Sequence, residues 1–312
     1  MTALKAPKPK QKRRALIMGI VFLIFAGAIL GLFLPGTSPG QQTTFDFDLT
    51  KDETGLIGDV TFSTRGGLYA MAVLAAFAGA WQLAKGFENT DAVLGVVAGF
   101  FVIGFLTWAA RDRSMNMAGM IRSSLLRSIP IVLAGLSGVL CERSGVVNIG
   151  IEGMMLTGAF LSALIGSITN STWAGLLAAL IGGGLMAALL AVMAIKYKVD
   201  QIVAGTAINI LATGLTSYFS SRYLQRNTVL NSPPTFSPIS IPLLSRIQIL
   251  GRTLFDHTFI IYLTFVLIVG IQLVLFYTRW GLRTRAVGEH PRAADTLGVN
   301  VFKIRYVNVI AG

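Results

Sequence analysis

Apolar runs long enough to cross a membrane recur along the whole chain, at residues 15–34, 66–84, 92–110, 151–168, 173–195, 202–220 and 258–277. A hydrocarbon core of ~30 Å takes roughly 20 residues of helix to span, and backbone facing lipid must satisfy its own polar groups. The pattern predicts a polytopic bundle of transmembrane helices. Only 13% of the residues are charged and 54% are hydrophobic, whereas soluble domains carry about 25% charged residues. The net charge of +12 is gathered in short stretches between the apolar runs, as cytoplasmic loops of membrane proteins require. That distribution argues against a nucleic-acid partner. The single cysteine, Cys141, leaves no internal disulfide or cysteine-rich metal site, and His257 and His290 lie far apart.

Residues 1–14, with Lys5, Lys8, Lys10, Lys12, Arg13, Arg14 and two prolines, are expected to be a solvated cytoplasmic tail. The first span then runs outward, and the acidic residues 35–65 form an outside loop. Two more spans follow. Counting alternately puts residues 111–128 outside, although Arg111, Arg113, Arg122 and Arg127 favour the cytoplasm. Two readings are open: residues 115–127 form an amphipathic helix lying in the interface, or one early run does not span. Only the first places the basic 278–305 segment inside.

Residues 141–155, CERSGVVNIGIEGMM, place Glu142, Arg143, Asn148 and Glu152 between oily runs. A charge at mid-bilayer costs roughly 2.5–3.5 kcal/mol on insertion scales, so it is retained where paired, hydrated or at the membrane edge. Residues 129–140 are too few for a straight span, which predicts a helix that ends or breaks near 141–150. If the segment is helical, Asn148 and Glu152 share one face. They are candidates for a substrate path, with pairing of Glu152 to Arg143 or a helix end as the structural alternative. Gly182–Gly184 suits close helix packing.

In residues 202–220, Thr206, Asn209, Thr213 and Thr216 or Ser217 recur at steps of three and four, drawing a polar stripe down one helix face. Such a stripe is either interhelical glue or the lining of a path for neutral polar cargo. Residues 231–238, Asn-Ser-Pro-Pro-Thr-Phe-Ser-Pro, read as a rigid outside loop, either a mere connector or a surface a delivery protein touches.

The 278–305 segment holds Arg279, Arg283, Arg285, Arg292, Lys303 and Arg305 against Glu289 and Asp295. Residues 291–297 predict a two-turn helix with proline in its first turn, an Arg292–Asp295 pair, and Gly298 as its stop. Ala293, Ala294 and Leu297 give it a small apolar face suited to docking in a groove of another protein.

Three segments carry a family resemblance: ERSGVVNIGIEGMMLTGAF in the 141–160 region, GTAINILATGLTSY at 205–218, and AVGEHPRAADTLGV at 286–299. They resemble the permease subunits of ATP-binding-cassette importers, in the nucleoside branch close to the sugar and branched-chain amino-acid branches. The resemblance covers residues 120–312, leaving 15–119 as additional spans and an outside loop, and a family member would continue past Gly312. It implies an all-α importer-permease bundle in the bacterial cytoplasmic membrane, with its N-terminus in the cytoplasm. It also implies a second, homologous or identical permease subunit, an extracytoplasmic substrate-binding protein and a separate ATPase. This chain has no G-x-x-x-x-G-K-[ST] loop, so no cofactor is expected in it and ATP belongs to the partner. Asn148, Glu152, Thr206, Asn209 and Thr213 become the expected substrate path. Glu289, Arg292, Ala293, Ala294, Asp295 and Gly298 become the expected ATPase-coupling loop, with Ala293, Ala294 and Gly298 at the family's alanine pair and glycine. An ion-coupled secondary transporter is the alternative from another class.

Overall fold

Helices dominate because the apolar runs satisfy their backbone internally. The computed structural model describes residues 9–47, 58–242, 244 and 250–312. Among them, eight helices are long and apolar enough to cross a membrane. In chain order the elements are α1 Pro9–Ala28, β1 Gln42–Asp46, β2 Val60–Ser63, α2 Thr64–Ala84, α3 Thr90–Ala109, β3 Arg113–Asn116, α4 Met117–Arg143, α5 Ile151–Thr169, α6 Thr172–Ala191 and α7 Gln201–Phe219. Then come β4 Ile239–Ser240, α8 Leu250–Phe255, β5 Asp256–His257, α9 Phe259–Tyr277, α10 Arg279–Glu289, α11 Pro291–Thr296 and α12 Val301–Ala311. The chain forms two compact units that part within α4, between residues 122 and 123, with residues 250–253 counted to the first.

The first unit packs α1, α2 and α3 around Phe22, Ala26, Ala75 and Val97 at one level and Ile29, Phe33, Leu68 and Ala72 at another. Helix α1 begins at Pro9, so the last residues of the expected tail are helical; residues 1–8 lie outside the described residues. Proline is well suited to a first helical turn, which is where the helix can start. Arg14 pairs with Asp91 at 2.8 Å, an exposed pair of little energetic weight.

The segment expected as an outside loop contains strands that the sequence reading missed. A three-stranded sheet has the order β2-β1-β3, with β1 antiparallel to β2 and parallel to β3. Thr43 is buried beneath it and donates to the Thr107 carbonyl at 3.0 Å. This pairing carries Arg113 to the end of the unit where β1 lies. Arg111 donates to the Trp108 carbonyl at 2.9 Å and lies over its ring. These basic residues are thus tied into local structure.

Helix α4 corrects two expectations. It runs unbroken from Met117 to Arg143 with Pro130 inside it, so residues 115–127 are no separate interfacial helix and residues 129–140 are no short one. The arginines interrupt the apolar run but not the hydrogen-bond ladder, and a membrane helix tolerates a proline when neighbours resatisfy its backbone.

The second unit is built on the antiparallel pair α5 and α6, joined through Asn170 in left-handed conformation. Of the Gly182–Gly184 patch, Gly182 meets α5 side chains and Gly184 faces open space. The core gathers Cys141, Val146, Met154, Leu190, Ile208 and Val309. The proline-rich segment folds back on this unit. Phe236 packs edge-on to Trp173 at 5.2 Å, and the Ser232 amide donates to the Ser167 hydroxyl at 3.1 Å.

Candidate functional site

Residues 144–150 leave helical geometry between α4 and α5. The Ser144 hydroxyl and the Val146 amide donate to the Cys141 carbonyl at 2.8 and 3.1 Å. Gly145, at φ +81°, takes the left-handed turn that ends many helices. Asn148 is buried. Its side-chain oxygen accepts the Gly150 amide at 3.0 Å, and its amino group faces the sulfurs of Cys141 and Met154 at 3.7 and 3.6 Å. Asparagine bonding its own backbone two residues on competes with helix formation. Helix α5 accordingly starts only at Ile151, so Asn148 and Glu152 do not share a helical face, which corrects the reading from their spacing. Glu152 is exposed in the first turn of α5, where unpaired amides favour a carboxylate. Among the described residues the only salt bridge is Arg14–Asp91, so none joins Glu152 to Arg143.

Helix α7 buries Ala204, Gly205, Ile208, Ala212 and Thr216, and of these Gly205 and Ile208 lie against Gly150 of this connector. A Cβ on Gly205 would sit 2.9 Å from the Gly150 nitrogen, so only glycine allows the approach. The inward face turns Thr206, Thr213 and Ser217 outward, with Asn209 half-buried at the boundary. Asn209 accepts the Gly153 amide at 2.8 Å and donates to the Ile149 carbonyl at 3.0 Å. It thus satisfies one of the donors that a helix N-terminus leaves open. Thr206 and Thr213 donate to carbonyls four residues back, each at 2.8 Å. Their protons are spent inside α7, and the oxygen lone pairs face outward as acceptors.

Beyond the stripe, α7 passes into a π turn, Ser220–Leu224, a distortion frequent at functional sites. An open groove of about 670 Å³ lies there, lined by Leu156, Phe160, Ser217, Tyr218, Ser221 and Gln225 among others. Glu152, Leu156 and Phe160 stand four residues apart and share one face of α5, so the carboxylate lies on the groove's side of that helix. Hydroxyls, an amide and aromatic rings together can hold a flat polar solute.

The 278–305 segment is a corner of helices rather than a loop. Val287 of α10, Ala294 of α11 and Val301 of α12 form a small core. Helix α11 matches the predicted two-turn helix, with Pro291 in its first turn and Gly298 at φ +81° behind it. Ala294, 3% exposed, faces this core and not a partner, a correction to the reading of the apolar face. The outward residues include Glu289, Arg292, Ala293, Asp295, Leu297 and Gly298, with Leu297 84% exposed. The expected Arg292–Asp295 pair is absent; among the described residues the only salt bridge is Arg14–Asp91.

Residues 120–312, which hold the connector, stripe, groove and corner, match the family described as "Branched-chain amino acid transport system / permease component". The chain belongs to this permease family. Among curated relatives, the guanosine ABC transporter permease protein NupQ of Bacillus subtilis is 39% identical over 201 residues, 61% of this chain and 62% of that protein. The nucleoside ABC transporter permease protein NupC of Lactococcus lactis is 36% identical over 200 residues, 61% of this chain and 62% of its own length. The putative glucose ABC transporter permease protein TsgC13 of Haloferax volcanii is 35% identical over 195 residues, 62% and 59%. The chain thus spans about three-fifths of the length of these relatives. No solved structure matches it.

Sequence reasoning about the permease missed Gln201, Gly288 and Arg305. The Val147 amide donates to the Gln201 side chain at 2.6 Å, and Arg305 Nε donates to the Ser144 carbonyl at 3.2 Å. An arginine leading into an apolar run was the available signal for Arg305. Gln201 and Gly288 carried none.

Proposed function

We propose that this chain is the membrane-spanning permease subunit of an ATP-binding-cassette importer for nucleosides, with ATP bound and hydrolysed by a separate subunit. The observation that carries this reading is the 39% identity to a guanosine permease across 201 residues, a stretch the length of the matched core. The outward acceptor stripe and the mixed groove support it. Sugar hydroxyls and base amino groups are donors that such oxygens can receive, and a base can lie on Phe160 or Tyr218. In this reading Glu152, Thr206 and Thr213 face the cargo, while Asn148 and Asn209 hold the geometry behind them.

The basic corner, with Arg279, Arg283, Arg285, Arg292 and Lys303, faces the cytoplasm. Eight crossings then put the N-terminal tail on the same side, in the cytoplasmic membrane. Glu289, Arg292, Ala293, Asp295 and Leu297 meet the ATPase, with Ala294 holding the corner from within and the exposed Gly298 turning the chain behind α11. A second permease subunit completes the path, and an extracytoplasmic binding protein delivers the cargo. Residues 120–312 are the transport core and residues 15–119 an addition to it.

Glucose is the second reading, favoured by the Haloferax relative. A panel of labelled guanosine, glucose and leucine, offered to cells with and without the intact gene, separates these. Gene-dependent uptake of guanosine supports the nucleoside reading, and gene-dependent uptake of glucose or leucine alone overturns it.

A further inference from the structure

We infer that the connector of residues 144–150 is the element through which the docking corner acts on α7, and that Arg305 and Gln201 are its positioning residues. This rests on the reading of the chain as an ATP-driven permease. On one side the connector lies directly under the corner. A Cβ on Gly288 of α10 would overlap the Arg143 carbonyl, and one on Gly145 would lie 3.3 Å from the Gly288 Cα. Backbone therefore rests on backbone here, with the Arg305 guanidinium beside Gly145. Arg305 of α12 adds its bond to the Ser144 carbonyl. Within the corner, Asn308 donates to the Thr284 hydroxyl at 3.2 Å, in buried surroundings, so α10 and α12 are joined there.

On the other side the connector is bonded to α7 at two levels. Gln201 in the first turn accepts the Val147 amide, and Asn209, two turns on, spans Ile149 and Gly153. Gly205 lets α7 touch Gly150 between those bonds. Packed elements of this kind shift as units rather than deforming continuously. A push on the exposed face of α11 is thus delivered through α10 and Gly288 to the connector, and from the connector to the helix that bears Thr206 and Thr213. A rival route exists, from α12 through the π turn Val192–Lys196 to α7, and it bypasses both Arg305 and Gln201.

The test uses the complete importer, full-length permease with its ATPase and binding protein, in proteoliposomes, reading guanosine uptake and ATP hydrolysis together. Gln201→Leu removes the acceptor and keeps the bulk, Gln201→Glu keeps an acceptor oxygen, and Arg305→Met removes the donor. The expected result for Gln201→Leu and Arg305→Met is ATPase copurification and basal hydrolysis at the wild-type level, with stimulation by loaded binding protein and uptake per ATP reduced about tenfold. Gln201→Glu should restore both. Wild-type uptake per ATP in the two disrupting variants would overturn the inference in favour of the rival route. Equal loss of assembly and activity, unrescued by Gln201→Glu, would overturn it in favour of a purely structural role. Absence of uptake by the wild-type complex would instead refute the permease reading on which the inference rests.

Discussion

Asn209 Oδ1 accepts the Gly153 amide at 2.8 Å, joining α7 to the first turn of α5. The same side chain donates to the Ile149 carbonyl, so both ends of its amide are committed to the backbone of the connector and α5. Leucine at this position would leave the amide of the buried Gly153 without its partner. An unmet buried polar group costs about 1–3 kcal/mol. Asn209→Leu is therefore expected to lower the melting temperature of the purified protein as well as uptake. Loss of uptake at an unchanged melting temperature would place Asn209 on the cargo side instead.

Thr213 presents the opposite case. It is exposed, and its hydroxyl bonds only within α7. Thr213→Val keeps the shape and removes the outward lone pairs, so stability should stay within about 0.5 kcal/mol while guanosine uptake falls. Normal uptake in this variant would remove the stripe from the path.

Ala294 and Leu297 separate burial from docking. Ala294→Asp places a carboxylate among Val287 and Val301, an unpaired burial that should cost several kcal/mol and destabilise the corner itself. Leu297→Asp alters a side chain that is 84% exposed. Its fold should melt as wild type does, while the ATPase no longer copurifies. Retained ATPase binding by Leu297→Asp would show that the partner seats elsewhere.

Seven of the eight spans were legible because length and hydropathy decide what can cross a bilayer, while α4 was not, because Arg122 and Arg127 interrupt its apolar run. The break after Arg143 was legible from Gly145 and Gly150, which lower helix propensity, although the supposed shortness of residues 129–140 that also pointed to it is undone by α4 starting at Met117. Other features depend on partners distant in sequence. Strand β1 pairs with Arg113–Asn116, which no local pattern around residue 42 announces. Ala294 lies within α11 and Leu297 caps its end, and only the packing of α10 and α12 decides which turns inward. The Thr stripe was visible as a period. That its protons are spent on α7's own carbonyls needed coordinates.

Uptake driven from a single energy source decides the central claim. Proteoliposomes containing the full-length complex, with ATP enclosed and loaded binding protein outside, should accumulate labelled guanosine in the absence of any ion gradient. They should stop when ATP is replaced by a non-hydrolysable analogue. Accumulation that persists without ATP and follows an imposed proton or sodium gradient would contradict the account and assign the chain to ion-coupled transport.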